Sequence, residues 1–162
     1  MFDFIRANQL DIMLALCAIC LSMALMLAFT RFLPRKRKWI LIFQELLVFF
    51  LLWFDREAYI FAGNLTRTGY VMVRLSNFFV FLLTSAIVLN FNLYLIDWLS
   101  NREGVKTPRR LIFVTFGAVC GMLLIVISQF THWIYYIDEQ NCYHRGNLFL
   151  LAYIIPVICQ DR

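Results

Sequence analysis

Long apolar runs separated by short polar segments make up most of the chain. Three of these runs contain no charged side chain: residues 12–30, 75–96 and 111–130. A helix needs about 20 such residues to cross the ~30 Å hydrocarbon core of a bilayer. Residues 39–54 form a fourth run, which contains Glu45, and residues 146–160 form an uncharged fifth. The pattern predicts an all-α fold, a polytopic transmembrane helix bundle of about five helices.

The boundaries of the runs predict a single transmembrane domain over residues 1–162. We expect its helices near residues 11–33, 39–58, 72–98, 109–131 and 146–160. The last run gives only about 22 Å of helix, which is short of a full crossing, and it contains Pro156. We therefore expect a chain truncated at its C-terminus that belongs to a longer protein. The alternative is a short or re-entrant fifth helix in a complete small protein.

Composition agrees with a membrane protein, and the charge distribution predicts its orientation. Hydrophobic residues make up 62% of the chain and charged residues only 15%, which is far from the balance of a soluble domain. The first and third loops between helices contain nine Lys and Arg, against five in the alternate segments. Because basic residues collect on the cytoplasmic side, we predict a multi-pass protein of the cell membrane with an extracytoplasmic N-terminus. The net charge of +5 follows this topology and does not indicate nucleic-acid binding.

Glu45 is the most informative polar residue of the predicted membrane region. A carboxylate at this depth is costly and usually faces the interior of the bundle with a partner. Asn90 and Asn92 lie at about the same depth in the third helix. We therefore predict a hydrogen bond between Glu45 and an Asn side chain. A functional alternative, in which Glu45 is a proton or cation site, stays open.

Two further patterns indicate helix packing. Gly117 and Gly121 have the GxxxG spacing, which places both glycines on one face and allows another backbone to approach closely. Asn77 and Thr84 share a face of the third helix, with Asn92 near the same stripe. Polar stripes of this kind more often hold helices together than line a path.

The chain has no motif typical of an enzyme. It contains no glycine-rich phosphate loop, no nucleophile elbow and no His-Glu-x-x-His helix. Cys17 and Cys20 are spaced as C-x-x-C, but in an apolar run where packing is their usual role. His132 and His144 lie twelve residues apart in one loop, and such spacing alone is too unspecific to predict a metal site. We expect no enzymatic activity, no metal and no cofactor.

Two stretches resemble parts of a known group of membrane sensors. The first is Asp55–Asn64 (DREAYIFAGN) followed by Gly69–Phe78 (GYVMVRLSNF), and the second is Tyr136–Gly146 (YIDEQNCYHRG). They resemble the N-terminal multi-helix membrane region of clostridial signalling proteins. The resemblance implies further helices and a cytoplasmic output module, either a diguanylate cyclase of the GGDEF type, sometimes with a phosphodiesterase domain, or a histidine kinase. No residue of this chain belongs to such a module.

We therefore predict a membrane-embedded sensory region of a bacterial signal-transduction protein. Its expected partners are the lipid bilayer, a cytoplasmic output domain in a longer parent chain and, as an open alternative, a second copy in a homodimer. Short exported loops often bind ligands, although their polar side chains also cap helices and pair with one another. The candidate signal-binding residues are Asp55, Arg56, Asn64, Arg74, Asp138, Asn141, Tyr143 and Arg145.

Two other functions stay open. In a small integral-membrane transporter or transporter subunit, Glu45 and the polar stripe of the third helix would line the path. Transport would then fail in Glu45 variants that still fold. In a membrane scaffold or assembly partner, Gly117 and Gly121 would pack against another protein, and Gly117→Ile would abolish that association.

Overall fold

The computed structural model describes residues 8–103 and 109–147, which fold into helices and one small hairpin. The elements are α1 (Gln9–Phe29), α2 (Arg35–Phe61), α3 (Arg67–Glu103), α4 (Arg109–Thr131), β1 (Tyr135–Ile137) and β2 (Tyr143–Arg145). The two strands are antiparallel, with Tyr136 opposite His144. Each helix packs mainly against its neighbours in the sequence, so α2 lies between α1 and α3.

Three of the described helices, α1, α3 and α4, are long and apolar enough to cross a membrane. α2 does not meet this description, because Glu45 and the run Asp55–Glu57 interrupt its apolar sequence. Its position between two apolar helices reduces the contact of these charges with lipid. The prediction of a helical fold is confirmed, and three of the predicted spans have the length and apolar composition that a membrane crossing requires. The predicted fifth helix, residues 146–160, falls almost entirely outside the described residues, and the orientation of the N-terminus stays a prediction.

Local sequence explains the turn between α2 and α3. α2 ends at Phe61, and Gly63 follows with a φ of 74°, a left-handed conformation that glycine adopts without strain. Thr66 then caps α3, since its Oγ1 accepts a hydrogen bond from the Gly69 N–H at 3.1 Å. Because of this cap, α3 begins at Arg67, earlier than the predicted residue 72. Its 37 residues give a helix about 55 Å long, longer than the hydrocarbon core is thick.

One end of the bundle, called here the basic end, contains residues 35–38 and Asp97. The Lys36 Nζ donates to Asp97 Oδ1 at 2.6 Å, and the Arg37 Nε donates to Asp97 Oδ2 at 3.1 Å. Asp97 is only 7% exposed. Lys38 instead donates to the carbonyls of Ala28 and Thr30 at the end of α1. Three consecutive cations therefore join α2 to both of its neighbours.

Candidate functional site

The opposite end of the bundle, called here the hairpin end, contains residues 61–66 and 132–147. Its core consists of Phe81, Ile125, Ile134 and Tyr135. The Ile134 N–H donates to Ser128 Oγ at 2.9 Å, and the rings of Phe81 and Tyr135 stack with their centroids 4.9 Å apart. The hairpin is therefore packed onto α3 and α4 by buried contacts.

A second attachment joins the hairpin to the turn between α2 and α3. Asn141 is fully buried, with a φ of 60°. Its side-chain Nδ2 donates to the backbone carbonyl of Asn64 at 2.9 Å and to that of Phe61 at 3.5 Å. The backbone carbonyl of Asn141 accepts a hydrogen bond from the Gly63 N–H at 3.2 Å. Two predicted signal-binding residues, Asn64 and Asn141, thus join the two loops, Asn141 through its side chain and Asn64 through its backbone carbonyl.

Between these attachments lies a cavity of about 360 Å³, called here the hairpin-end cavity. Its walls come from α2 and the residue after it, from α3 and from β2. The lining residues are Asp55, Ala58, Tyr59, Ala62, Val73, Asn77, Val80, Phe81, Tyr143 and Arg145. The volume lies within the range of about 300–1,000 Å³ that is typical of small-molecule sites.

Helical spacing explains how the two helices line one cavity. Positions 55, 58, 59 and 62 follow the i, i+3, i+4, i+7 pattern of a single helix face, and positions 73, 77, 80 and 81 share a face of α3 at i, i+4, i+7 and i+8. The prediction from sequence identified Asp55 and Asn77 but missed the apolar and aromatic residues between them. The helical spacing that places these residues on one face of each helix was visible in the sequence. The packing of those two faces against β2 was not.

The polar side chains that line the hairpin-end cavity differ in their hydrogen bonds and ion pairs. Asn77 Nδ2 donates to the Val73 carbonyl of its own helix at 2.8 Å. Asp55 is half-buried, and within the described part of the chain its carboxylate forms no hydrogen bond or ion pair. Arg145 supplies a positive charge from β2, where its side chain is exposed. The cavity therefore combines one acidic, one basic and one amide group with aromatic surface.

Two predicted arginines lie away from the hairpin-end cavity. Arg56 approaches Glu57 at 3.5 Å, a distance typical of a weak ion pair. The Arg74 guanidinium lies over the Tyr70 ring, 3.8 Å from its centroid, in a cation–π contact. Both are therefore engaged in local contacts with residues of their own helices.

Asp138 organises the turn of the hairpin. Its Oδ1 accepts the Cys142 N–H at 2.8 Å, and its Oδ2 lies 2.8 Å from His144 Nε2. The Cys142 hydrogen bond, followed by that of His144, holds the pKa of Asp138 below its usual value. Asp138 is thus a turn residue. Among the residues that the structure describes, no three His, Cys, Asp or Glu side chains are grouped as metal ligands.

The polar residues in the middle of the bundle connect neighbouring helices. Asn90 Nδ2 donates to Gln44 Oε1 at 2.7 Å and to the Ile40 carbonyl at 3.0 Å. Asn92 Nδ2 donates to Thr115 Oγ1 at 2.7 Å and to the Leu111 carbonyl at 2.6 Å. α3 is therefore bonded to α2 by one asparagine and to α4 by the other.

The predicted hydrogen bond between Glu45 and an asparagine is wrong. Asn90 bonds to Gln44, the residue before Glu45, and consecutive helix positions point about 100° apart. Glu45 instead shares a face with Phe49, whose carbonyl is contacted by Cys17 Sγ of α1 at 3.9 Å. The carboxylate therefore lies on the α1 side of α2, where it is half-buried.

Gly121 of α4 lies against α3. Gly117 is buried, and a Cβ added to Gly121 would lie 3.6 Å from Ser85 Oγ, which is ordinary van der Waals contact. Gly121 is therefore used for packing within the chain, and Gly117 on the same face is buried.

Comparison of this chain with protein-family models, curated proteins and solved structures gave no match. The resemblance to clostridial membrane sensors therefore stays a prediction from the sequence.

Proposed function

We propose that this chain is the membrane-embedded sensory region of a bacterial signal-transduction protein, and that its ligand binds in the hairpin-end cavity. The observation that supports this proposal is the composition of the cavity wall. α2, α3 and the hairpin each contribute lining residues. A ligand that contacts all three elements favours one arrangement of them over another, which is the physical requirement for a signal.

The helices that line the cavity also reach the other end of the bundle. α2 and α3 pack along each other and are joined at the basic end by Asp97 with Lys36 and Arg37. A shift between the two helices at the cavity therefore changes their relation at the basic end. In this proposal the basic end faces the cytoplasm, as the excess of Lys and Arg favours, and the hairpin and the N-terminus lie outside. An output module of a longer parent chain would receive the signal there.

The contacts favour the two alternatives less. Asn77 and Thr84 donate to carbonyls of their own helix at 2.8 and 2.7 Å, and Asn90 and Asn92 donate to neighbouring helices. The polar groups proposed to line a transport path therefore already have hydrogen-bond partners within the chain. In a scaffold, Gly117 and Gly121 would have to be available to another protein. Gly121 instead lies against Ser85 of α3.

The first experiment is to sequence the source gene downstream of the codon for Arg162. An open reading frame that continues through further apolar helices into a cyclase or kinase domain is the expected result. A stop codon directly after Arg162 would contradict the sensory function and favour the transporter or scaffold.

A second experiment tests the cavity in the full-length parent protein. Val80→Trp places a large ring in the hairpin-end cavity, and it should abolish the response of output activity to the growth conditions that change it in the wild type. Leu93→Trp is the control, because Leu93 is an exposed residue of the same helix outside the cavity. An unchanged response in Val80→Trp would exclude the cavity as the signal site.

A further inference from the structure

α3 has a cation at the edge of its uncharged run. Residues 75–96 contain no charged side chain, and as a helix they span about 33 Å, close to the thickness of the hydrocarbon core. Arg74 directly precedes this run. In a bilayer that the run crosses, the Arg74 guanidinium lies at the level of the lipid headgroups. Gln129 lies at the corresponding edge of the uncharged run of α4.

A groove where α3 meets α4, called here the interface groove, lies at this level. It has a volume of about 400 Å³, and its lining residues are Tyr70, Val71, Arg74, Leu75, Phe78 and Gln129. Most of this lining is apolar or aromatic, and Val71 and Leu75 are 54% and 44% exposed. Exposed apolar side chains at the edge of a membrane-spanning run are suited to contact lipid acyl chains.

A small recess next to the interface groove is polar and has a positive charge. Its volume is about 50 Å³, and Arg74 and Gln129 line both the recess and the groove. His132 and Ser128 also line the recess. Among the described residues, no Asp or Glu lines either space. The recess has room for about three water-sized groups, such as the free oxygens of a phosphate.

The protein satisfies the Arg74 guanidinium only in part. The group lies over the Tyr70 ring, 3.8 Å from its centroid, and within the described part of the chain it forms no ion pair with a carboxylate. The Arg74 Nε is buried and has no hydrogen-bond acceptor among the same residues. Leaving a donor of a charged group without an acceptor is costly, and guanidinium groups form strong hydrogen bonds with phosphate. A phosphate in the recess would supply the missing negative partner.

We propose that the interface groove binds an anionic phospholipid. Its phosphate would lie in the recess beside Arg74 and His132, and an acyl chain would lie along Val71, Leu75 and Phe78. A zwitterionic lipid also has a phosphate, but its ammonium group finds no carboxylate among the described lining residues. A free phosphate gains nothing from the apolar part of the groove. The site therefore favours a ligand that combines net negative charge with an acyl chain.

This inference is independent of the proposed signal site. The interface groove shares no lining residue with the hairpin-end cavity. Failure of the sensory function would therefore leave the lipid site in place, and failure of the lipid site would leave the sensory function in place.

The experiment is a titration of the whole chain in detergent micelles, with bound lipid measured by native mass spectrometry. The probes are dioleoyl phosphatidylglycerol, dioleoyl phosphatidylcholine and glycerol phosphate, which has the phosphate without acyl chains. We expect the first phosphatidylglycerol to bind at least about tenfold more tightly than phosphatidylcholine, since the charged contact is fully made only by the anionic lipid. Glycerol phosphate should not bind at the concentration at which phosphatidylglycerol saturates the site. This comparison does not depend on the folding of any variant.

Two variants locate the binding site. Arg74→Gln should lower the affinity for phosphatidylglycerol about tenfold and leave that for phosphatidylcholine unchanged. Val71→Glu keeps Arg74 but places a competing carboxylate three residues from it on the same helix, and it should have the same selective effect. Arg67→Gln is the matched control, because it removes an equal charge from the same end of α3 at a residue that lines neither the groove nor the recess. It should bind phosphatidylglycerol as the wild type does.

Three results would overturn the inference. Equal affinities for phosphatidylglycerol and phosphatidylcholine would show that the groove does not recognise charge. Equal losses in Arg74→Gln and Arg67→Gln would show a general effect of positive charge. Glycerol phosphate that binds as tightly as phosphatidylglycerol would show a site for free phosphate instead of a lipid.

Discussion

The side-chain amide of Asn141 donates a hydrogen bond to the backbone carbonyl of Asn64 at 2.9 Å, across 77 positions of sequence. The two residues lie in different turns, one within the hairpin and one between α2 and α3. Since Asn141 is fully buried, water does not compete for this bond. The contact therefore joins the turn of the hairpin to the turn between α2 and α3, and these turns connect elements that line the hairpin-end cavity.

Removal of this contact should loosen the hairpin end. Asn141→Gly keeps the left-handed backbone conformation but loses the Nδ2 donor, and it should lower the free energy of unfolding by about 1–3 kcal/mol. Asn141→Ala should cost more, because alanine also opposes a φ of 60°. Thermal unfolding in nanodiscs measures both. Equal stability of Asn141→Gly and the wild type would show that the hydrogen bond contributes nothing.

At the basic end, Arg37 should matter more than Lys36. The Arg37 side chain is 16% exposed and the Lys36 side chain is 76% exposed, although both pair with Asp97. Exposed ion pairs contribute about 0–1 kcal/mol, whereas loss of a buried charged hydrogen-bond partner costs about 1–3 kcal/mol. We expect Arg37→Ala to lower the unfolding midpoint clearly and Lys36→Ala to change it little. The reverse order would mean that Asp97 is neutralised mainly by Lys36.

The hairpin turn should weaken in acid. The pKa of Asp138 is lowered by the Cys142 N–H and by His144, so the folded turn favours the ionised carboxylate. The stabilisation is complete at pH values above the unfolded pKa of about 3.9 and is lost as the pH falls below it through the lower, folded pKa. Hydrogen exchange of the Cys142 amide should therefore accelerate as the pH falls below about 4, beyond the intrinsic pH effect. Asp138→Asn is the control, and it should show no such acid transition.

In the middle of the bundle, Asn90 and Glu45 should behave differently. Asn90→Ala leaves Gln44 Oε1 and the Ile40 carbonyl without their donor and should cost about 1–3 kcal/mol of stability. Glu45→Gln removes a charge that has no hydrogen-bond partner among the described residues, so it should not lower stability. Unfolding midpoints of the two purified variants test this contrast. A large loss in Glu45→Gln would show that the carboxylate has a structural partner after all.

Part of the hairpin-end cavity was predictable from the sequence. Asp55, Tyr143 and Arg145 stood out as charged or aromatic residues in exported loops, and Asn77 stood out as part of the polar stripe of the third helix. All four line the cavity. Asn64, Asp138 and Asn141 stood out for the same reason, but they form turns and loop contacts. Composition and position cannot separate these two groups, because a turn and a binding site use the same polar residue types.

The sequence by itself determined the helical class and the helices that are long and apolar enough to cross a membrane, since backbone groups in lipid must be satisfied within each helix and apolar length limits what can cross. It also contained the local signals for the turn at Gly63 and the cap at Thr66. Only the tertiary structure decided that Asn90 bonds to Gln44 and not to Glu45, that Asp97 joins α2 to α3, and that β2 lines the cavity. These contacts depend on the rotation of each helix and on the docking of the hairpin. Both are set by packing between segments far apart in the sequence, which a periodic pattern within one segment does not specify.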